Sequence, residues 1–351
     1  MIDQIETILE QGGIPSVLGL CTLKDEPVKP DKLPRVFICL PFAMNFVMKK
    51  YGSAWKSFTR ANFTFFESAV GINMTSAECG KIAQVLGAVN PGLDQIFDGD
   101  VKAMDKSWSA EFFDSVSMVV FAICTLLGTA PDYNRRLILA MKHLTYSIKN
   151  DLFRTFNNPS GCDCTVELNG LALSICERYV YYKMNPFKGD WEKVMSWYTN
   201  FLDSPIPHGI LGLDFRCNVA LVSYGDDNIK AMRIPPTVDY FDIWEFDLGM
   251  IMTPADKDLT AGKQFVGKPL GKCPFLQRSL VYSEEVGGWI PPLSMKTITR
   301  MVSMKKDSTL TRVDHGAVVL SEAHREMVYH GREKFEVFTA RAKAVAQKYG
   351  L

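Results

Sequence analysis

No charge of either sign is in excess in this chain. Its 39 Lys and Arg balance 39 Asp and Glu, giving a formal net charge of zero at pH 7. That excludes a protein basic throughout, but not nucleic-acid binding, because a phosphate backbone responds to local charge. A disulfide or zinc framework is also missing. The nine cysteines include no C-x-x-C pair, and Cys162-x-Cys164 has no matching Cys/His pair at zinc-finger spacing. Free thiols predict a reducing compartment. Long apolar runs are absent: the most apolar stretch, Ser115 to Ala130, falls short of a membrane span and reads as a buried helix. The opening MIDQIETILEQGG has neither a basic n-region nor an apolar core, so no signal peptide is expected. There is no internal repeat and no low-complexity tract. Together these absences predict a soluble, intracellular protein. With 351 residues, 47% hydrophobic, 11% aromatic and 22% charged, the chain can bury a large core in two or three units or one elaborate domain.

What is present has a mixed rhythm. Residues 107–127 place Phe112, Val116, Val119, Val120, Ile123, Leu126 and Leu127 at helical spacing. Ser107 is the expected cap, Gly128 the closing residue and Pro131 the stop. Residues 1–12 read as the tail of a helix, 24–36 as a Pro-rich charged loop, and 36–55 as a short strand leading into a helix. Another helix is expected from Thr165 through Leu168, Leu171 and Ile175. Strands are expected at 216–223, 228–234, 244–250 and 277–283. From Pro291 onward the pattern is mostly helical, ending in an amphipathic stretch from Glu333 to Tyr349. That segment holds eleven Lys and Arg against six Asp and Glu, net +5; a solvated helical face accounts for most of them. Helices alternating with antiparallel strands predict an α+β core with a helical cap.

The chemistry centres on Tyr224-Gly225-Asp226-Asp227, within CNVALVSYGDDNIKAM. Apolar residues on both sides predict strand, tight turn, strand, with two adjacent carboxylates at the turn. Such acids are costly to bury unless a cation neutralises them. The tetrapeptide is weak evidence alone, since Gly-Asp-Asp arises by chance in roughly one chain of this length in ten to twenty and suits any polar turn. Two further patterns precede it. Asp100 and Asp105 lie in FDGDVKAMDKSW, the first at a strand end, where it can share a metal with Asp226; turn and cap acids are the bland alternative. In NNPSGCDCTVELNG, Gly161 permits a tight, mobile loop after Ser160. Thr165 and Asn169 then fall on one helix face at i and i+4, able to read a sugar hydroxyl or hold a neighbouring acid.

In this order the patterns resemble a viral RNA-dependent RNA polymerase of the picorna-like positive-strand type. D-x4-D at Asp100 and Asp105 is similar to motif A, SGxxxTxxxN at Ser160 to Asn169 to motif B, and YGDD to motif C. LGMIMTPADKD (248–258) resembles motif D, CPFLQRSLVY (273–282) motif E, and KDEPVKPDKLPR (24–35) motif F. The resemblance covers about residues 20–300 and implies a right-hand α+β polymerase: partial fingers, a palm with a three-stranded antiparallel sheet and supporting helices, and a helical thumb. It divides the chain into fingers with motif F (1–95), palm with motif A (96–142), a fingers insertion (143–159), palm with motifs B to E (160–284) and thumb (285–351).

The resemblance also implies roles. Asp100 and Asp226, with Asp227 in support, would bind two Mg²⁺ ions, with Mn²⁺ as a substitute. Asp105, Asn169, Thr165, Ser160 and the Gly161 turn would recognise the ribose 2′-hydroxyl. Lys257 would protonate the pyrophosphate leaving group, and Lys24, Lys32 and Arg35 would neutralise the triphosphate. Phe275, Leu276 and Arg278 would form the primer grip. The partners would be RNA template, nascent strand and NTPs, with a small protein primer in relatives. The location would be host cytoplasm, at viral replication complexes, with no transmembrane segment. Four departures stand out: Val101-Lys102 follow the first Asp, Cys164 replaces a small motif B residue, the motif F loop is shorter than in the best-known members, and the segment before it is short. The competing reading is a non-catalytic RNA-binding palm–thumb fragment. A reverse transcriptase fits less well, because Asp105 and Asn169 stand where such enzymes exclude the 2′-hydroxyl.

Overall fold

The apolar arms on either side of Gly225-Asp226 pair as their pattern predicts, and the rest of the fold is layered on that hairpin. The structure, a computed structural model, describes residues 1–24, 34–142, 144–148, 151–155, 158, 160–185, 215–255, 265–303 and 309–350. Strands β1 (Leu18–Leu23) and β2 (Val36–Cys39) pair antiparallel, with Leu20 opposite Cys39. Strand β3 (Ile96–Val101) belongs to a second sheet. Strands β4 (Leu144–Ile148) and β5 (Asp151–Thr155) extend the first sheet to the order β2-β1-β4-β5, with β4 parallel to β1. The second sheet is completed by β6 (Val219–Tyr224), β7 (Asp227–Met232) and β8 (Met252–Pro254) in the order β6-β7-β3-β8, antiparallel throughout. The expected three-stranded sheet thus has a fourth, short strand.

Both faces of this second sheet are buried, and strand alternation assigns each residue to one of them. Phe97, Val101, Val219, Leu221 and Met232 join one core cluster. That cluster also takes residues from helices α1 (Ile2–Glu10), α2 (Phe42–Ala61), α4 (Ala110–Leu126), α5 (Pro131–Lys142) and α6 (Thr165–Met184). Ile96, Ala220, Val222, Ile229 and Ala231 face a second cluster with Ile82 and Leu86 of α3 (Gly80–Gly87) and with Cys273, Phe275 and Leu280. Asp100 and Asp227 share the parity of Ile96 and Ile229, so they lie on this second face at the end of the strands.

A third, smaller cluster joins Leu293 to α7 (Met295–Ser303), α8 (Arg312–Met327) and α9 (Arg332–Tyr349). It is tied to the sheet by Arg278, whose guanidinium donates to both carboxylate oxygens of Glu326 on α8 at 2.8 and 2.7 Å. No helix among the described residues is long and apolar enough to cross a membrane, and all nine cysteines are free.

Three local expectations are corrected. Helix α4 starts at Ala110, with the Ser109 hydroxyl accepting from Phe112 N at 3.1 Å; Ser107 instead donates to the Ala103 carbonyl. The strand expected at 244–250 is a helical turn, Tyr240–Asp242, running into a π turn, Ile243–Asp247. There Tyr240, Phe241 and Trp244 turn one side into the core, two of them against Phe265, so tertiary packing overrides a β-prone composition. The strand expected at 277–283 is a tight turn followed by β9 (Val281–Ser283), which pairs with β10 (Gly288–Ile290).

The hairpin is locked to α6 by a buried charge pair. Lys230 of β7 donates to Glu177 of α6, and the Tyr240 hydroxyl donates to the same carboxylate at 2.6 Å; Lys230 is 0% and Glu177 2% exposed. Removing one partner of such a pair strands a charge in the core. Lys230→Ala is therefore expected to lower unfolding free energy by about 3–5 kcal/mol, read as a shifted midpoint in urea unfolding at constant slope.

Candidate active site

The two-residue turn between β6 and β7 puts Gly225 at φ +67°, a left-handed conformation that glycine adopts freely. Asp226 completes the turn and Asp227 begins β7. The register then sets Asp227 directly opposite Asp100 of β3, and Asp100 opposite Thr253 of β8. Like charges facing across a ladder repel. Burial is the main cause that pushes the Asp227 carboxyl up from its ordinary value of 3.8 to about 7, with repulsion from Asp100, Asp226 and Asp98 adding to it. Burial likewise raises Asp226, joined by repulsion from Asp100 and Asp105, while the Arg35 charge draws it back down.

The surrounding backbone fixes these acids. Asn228 Nδ2 donates to the Gly99 carbonyl at 2.9 Å, and a Cβ on Gly99 would lie 2.9 Å from Met252 Sδ. On the other side Leu276 N donates to Asp227 Oδ2 at 2.8 Å. Leu276 and Gln277 form a tight turn at φ +54° and +62°, bracketed by the mutual Phe275–Arg278 backbone bonds. A non-glycine pair in that conformation is strained, and the strain aims one N–H at the acid.

Motif A and the motif B loop meet through side chains. Asp105 sits in a 3₁₀ turn, Met104–Lys106, and accepts from the Ser160 hydroxyl. Gly161 follows, and its backbone lies so close to β2 that a Cβ would be 2.4 Å from the Ile38 carbonyl. Close approach, as well as turn formation, thus requires glycine here. Thr165 turns its hydroxyl to the Cys162 carbonyl at 2.9 Å. Asn169 is buried and accepts from Asn158 Nδ2 at 2.9 Å; the same amide donates to the Thr165 carbonyl at 3.1 Å. Cys164 is fully buried.

The expected residues therefore divide. Asp100, Asp105, Asp226, Asp227, Ser160 and Arg35 converge at one end of the second sheet. Asn169 and Thr165 lie on α6 and are engaged by Asn158 and the Cys162 carbonyl. Lys24 N donates to the Arg35 carbonyl at 2.8 Å; Lys32 and Lys257 lie outside the described residues. Phe275 is a core residue, Arg278 is engaged by Glu326 and the Pro291 carbonyl, and the backbone of Leu276 is what reaches the acids. Asn158 and the Leu276 N–H were not singled out from sequence. Asn158 lay inside a recognised turn pattern, whereas a backbone donor leaves no residue signature.

Among the described residues, no three His, Cys, Asp or Glu side chains are gathered closely enough to hold a metal ion by themselves. The donors present are carboxylate oxygens of depressed acidity, which a hard divalent cation would re-ionise. Mg²⁺ ordinarily binds through one or two carboxylates plus waters and substrate phosphates, without a complete protein cage. The donor chemistry fits that ion.

The family model for viral RNA-dependent RNA polymerase matches residues 6–346. The chain belongs to this family. It is 24% identical over 356 residues to the replicase polyprotein of Drosophila C virus (strain EB), a match covering 95% of this chain and 19% of that polyprotein. Against the replicase polyprotein of Cricket paralysis virus the identity is 24% over 365 residues, with 96% and 19% covered. The RNA1 polyprotein of Grapevine fanleaf virus is 26% identical over 309 residues, covering 84% and 12%. The chain thus spans about a fifth of the length of the first two relatives. The solved Sicinivirus 3Dpol RNA-dependent RNA polymerase superimposes with a TM-score of 0.70 at 15% identity, over 99% of this chain and 67% of that one. The fold is that of a right-hand viral polymerase, mixing helices with an antiparallel sheet.

The raised pKa of Asp227 has a sign that can be measured. Between pH 4 and pH 7 the folded chain keeps a proton that the unfolded chain releases. Its contribution to stability therefore falls as pH rises through that window. In metal-free buffer the parent should lose more melting temperature than Asp227→Asn between pH 5 and pH 8, by scanning fluorimetry. Added Mn²⁺ should restore the parent most at the upper end.

Proposed function

We propose that this chain synthesises RNA on an RNA template by two-metal nucleotidyl transfer from NTPs, in the replication of a viral RNA genome. The single observation that supports this most is the placement of Asp100 opposite Asp227, with Asp226 on the adjoining turn, in a chain of this family. The 3′-hydroxyl of the growing strand would attack the α-phosphate of the incoming NTP, losing its proton as pyrophosphate leaves. Asp100, Asp226 and Asp227 would hold Mg²⁺, or Mn²⁺ in its place, which supplies charge for the attacking and leaving oxygens.

The remaining roles are assigned by this chain's own residues. Arg35, whose charge already reaches Asp226, would meet the triphosphate together with Lys24 and Lys32, because a guanidinium fork suits phosphate oxygens. Asp105 and Ser160, already bonded to each other, would present the polar group that reads the 2′-hydroxyl, with Asn169 and Thr165 behind them. Lys257 would deliver a proton to the pyrophosphate. Leu276, with Phe275 as its core anchor and Arg278 as its tie to α8, would support the 3′ end of the strand. The domain limits proposed are 1–95 and 143–159 for fingers, 96–142 and 160–284 for palm, and 285–351 for thumb. The site of action would be host cytoplasm, at viral replication complexes, where relatives' protein primers would be further partners.

The test is primer extension on a homopolymeric RNA template with Mg²⁺ or Mn²⁺ and a labelled NTP. The parent should extend, and Asp226→Ala should lose about a hundredfold or more, the scale on which removing one charge-stabilising group slows a reaction. A parent that binds RNA in a salt-dependent way yet never extends would instead be a non-catalytic RNA-binding palm–thumb unit.

A further inference from the structure

The loop Ser160–Cys164 is held from outside the sequence motifs. Gly161 N donates to the Ile38 carbonyl of β2 at 2.9 Å. From α2, Asn45 uses both ends of its carboxamide: Nδ2 donates to the Gly161 carbonyl at 3.0 Å, and Oδ1 accepts from Asp163 N at 3.1 Å. The amide therefore spans residue 162 as a neighbouring strand would. Lys56, further along α2, donates to the Asp163 carbonyl at 2.8 Å and to its carboxylate at 2.6 Å. Asn45 and Lys56 are eleven residues apart, which returns to the same helix face after three turns. Helical side chains lean toward the N-terminus, and the Lys56 stem does so: a Cβ added to Gly52, one turn back, would touch its Cδ at 3.8 Å. Lys56 is buried, so its ammonium has exchanged water for the loop.

The partner of Ser160 is referred to the same strand. Lys106, next to Asp105, donates to the Val36 carbonyl of β2 at 3.2 Å. Strand β2 thus sets Asp105 through Val36 and Ser160 through Ile38, while α2 stops the loop from turning away.

We propose that Asn45 and Lys56 are positioning residues for sugar recognition: they clamp the motif B loop so that the Ser160–Asp105 pair faces the ribose. The inference rests on the polymerase reading above. Neither residue touches the nucleotide, and neither belongs to a motif. Losing the clamp frees Ser160 from Asp105 and removes one oriented hydrogen bond from the 2′-hydroxyl, while the triphosphate contacts at Arg35 and the acids stay as they were. The predicted defect therefore falls on ribonucleotides and spares 2′-deoxynucleotides.

Asn45→Asp keeps the shape of the side chain but sets a carboxylate against the Gly161 carbonyl. Lys56→Met keeps the stem and removes the charge, and Lys56→Arg is the conservative control. Dissociation constants for ATP and 2′-deoxyATP would be measured on the full chain with template–primer RNA and Mn²⁺, alongside hydrogen exchange of residues 160–165. In Asn45→Asp and Lys56→Met the preference for ATP should fall about five- to tenfold, the weight of one hydrogen bond. Loop exchange should rise, and Lys56→Arg should recover most of the preference. Equal weakening of both nucleotides, or faster loop exchange with an unchanged preference, would overturn the inference. So would unchanged loop exchange. A parent that binds neither nucleotide would overturn the polymerase reading itself, and the inference with it.

Discussion

Carboxylates forced together at one end of a buried sheet are the constraint on which this molecule is organised. Asp100 and Asp227 face each other across a ladder, and Asp226 stands beside them on the turn. Left to themselves they would drive the strands apart or take up protons, and the raised pKa values of Asp226 and Asp227 record the second response. What prevents the first is packing on both faces of the sheet. Asn228 ties β7 to the Gly99 carbonyl, Thr253 donates to the Asp100 carbonyl from β8 at 3.3 Å, and Leu276 N–H holds the Asp227 carboxylate. The electrostatic cost is borne by backbone hydrogen bonds and apolar layers, with the Arg35 charge easing it at Asp226.

Much of this was legible in sequence, for a physical reason. The hairpin declares itself because its arms are apolar on both faces and its turn needs Gly225. Helix α6 begins at Thr165 as expected, and the α+β class follows from mixed periodicity. Local patterns also placed Asp100, Asp105 and the Ser160–Gly161 loop, since each lies at a junction of elements. What escaped depends on partners distant in the chain. The π turn at Ile243–Asp247 is decided by Phe265 and the core around α6. The strained Leu276–Gln277 turn serves an acid 49 residues away. Asn45 and Lys56 carry no motif because they bond largely to backbone atoms of a loop more than a hundred residues away, and Asn158 bonds one carbonyl and one side chain of α6. Arg278, which the resemblance assigned to the primer grip, has its geometry fixed by Glu326 of α8, a partner no local pattern announces.

Helix α6 explains how a site assembled from such distant pieces keeps its alignment. Nearly all sides of it are buried, so an amphipathic stripe cannot set its rotation. Polar side chains set it instead. Glu167 takes Arg60 of α2, Asn169 takes Asn158, Ser174 and Arg178 take Glu67, and Glu177 takes Lys230 and Tyr240. Glu167, Ser174 and Arg178 share one face while Asn169 and Glu177 lie on others, and a turn or slide of the helix would leave several buried groups without partners at once. Gly170 lets the helix press on β6 so closely that a Cβ would sit 3.2 Å from Ser223 Oγ. Apolar packing alone would tolerate small shifts of this helix against the hairpin. The polar contacts do not, and so the Ser160 loop that leads into α6 and Asp227 at the head of β7 are aligned through the same helix.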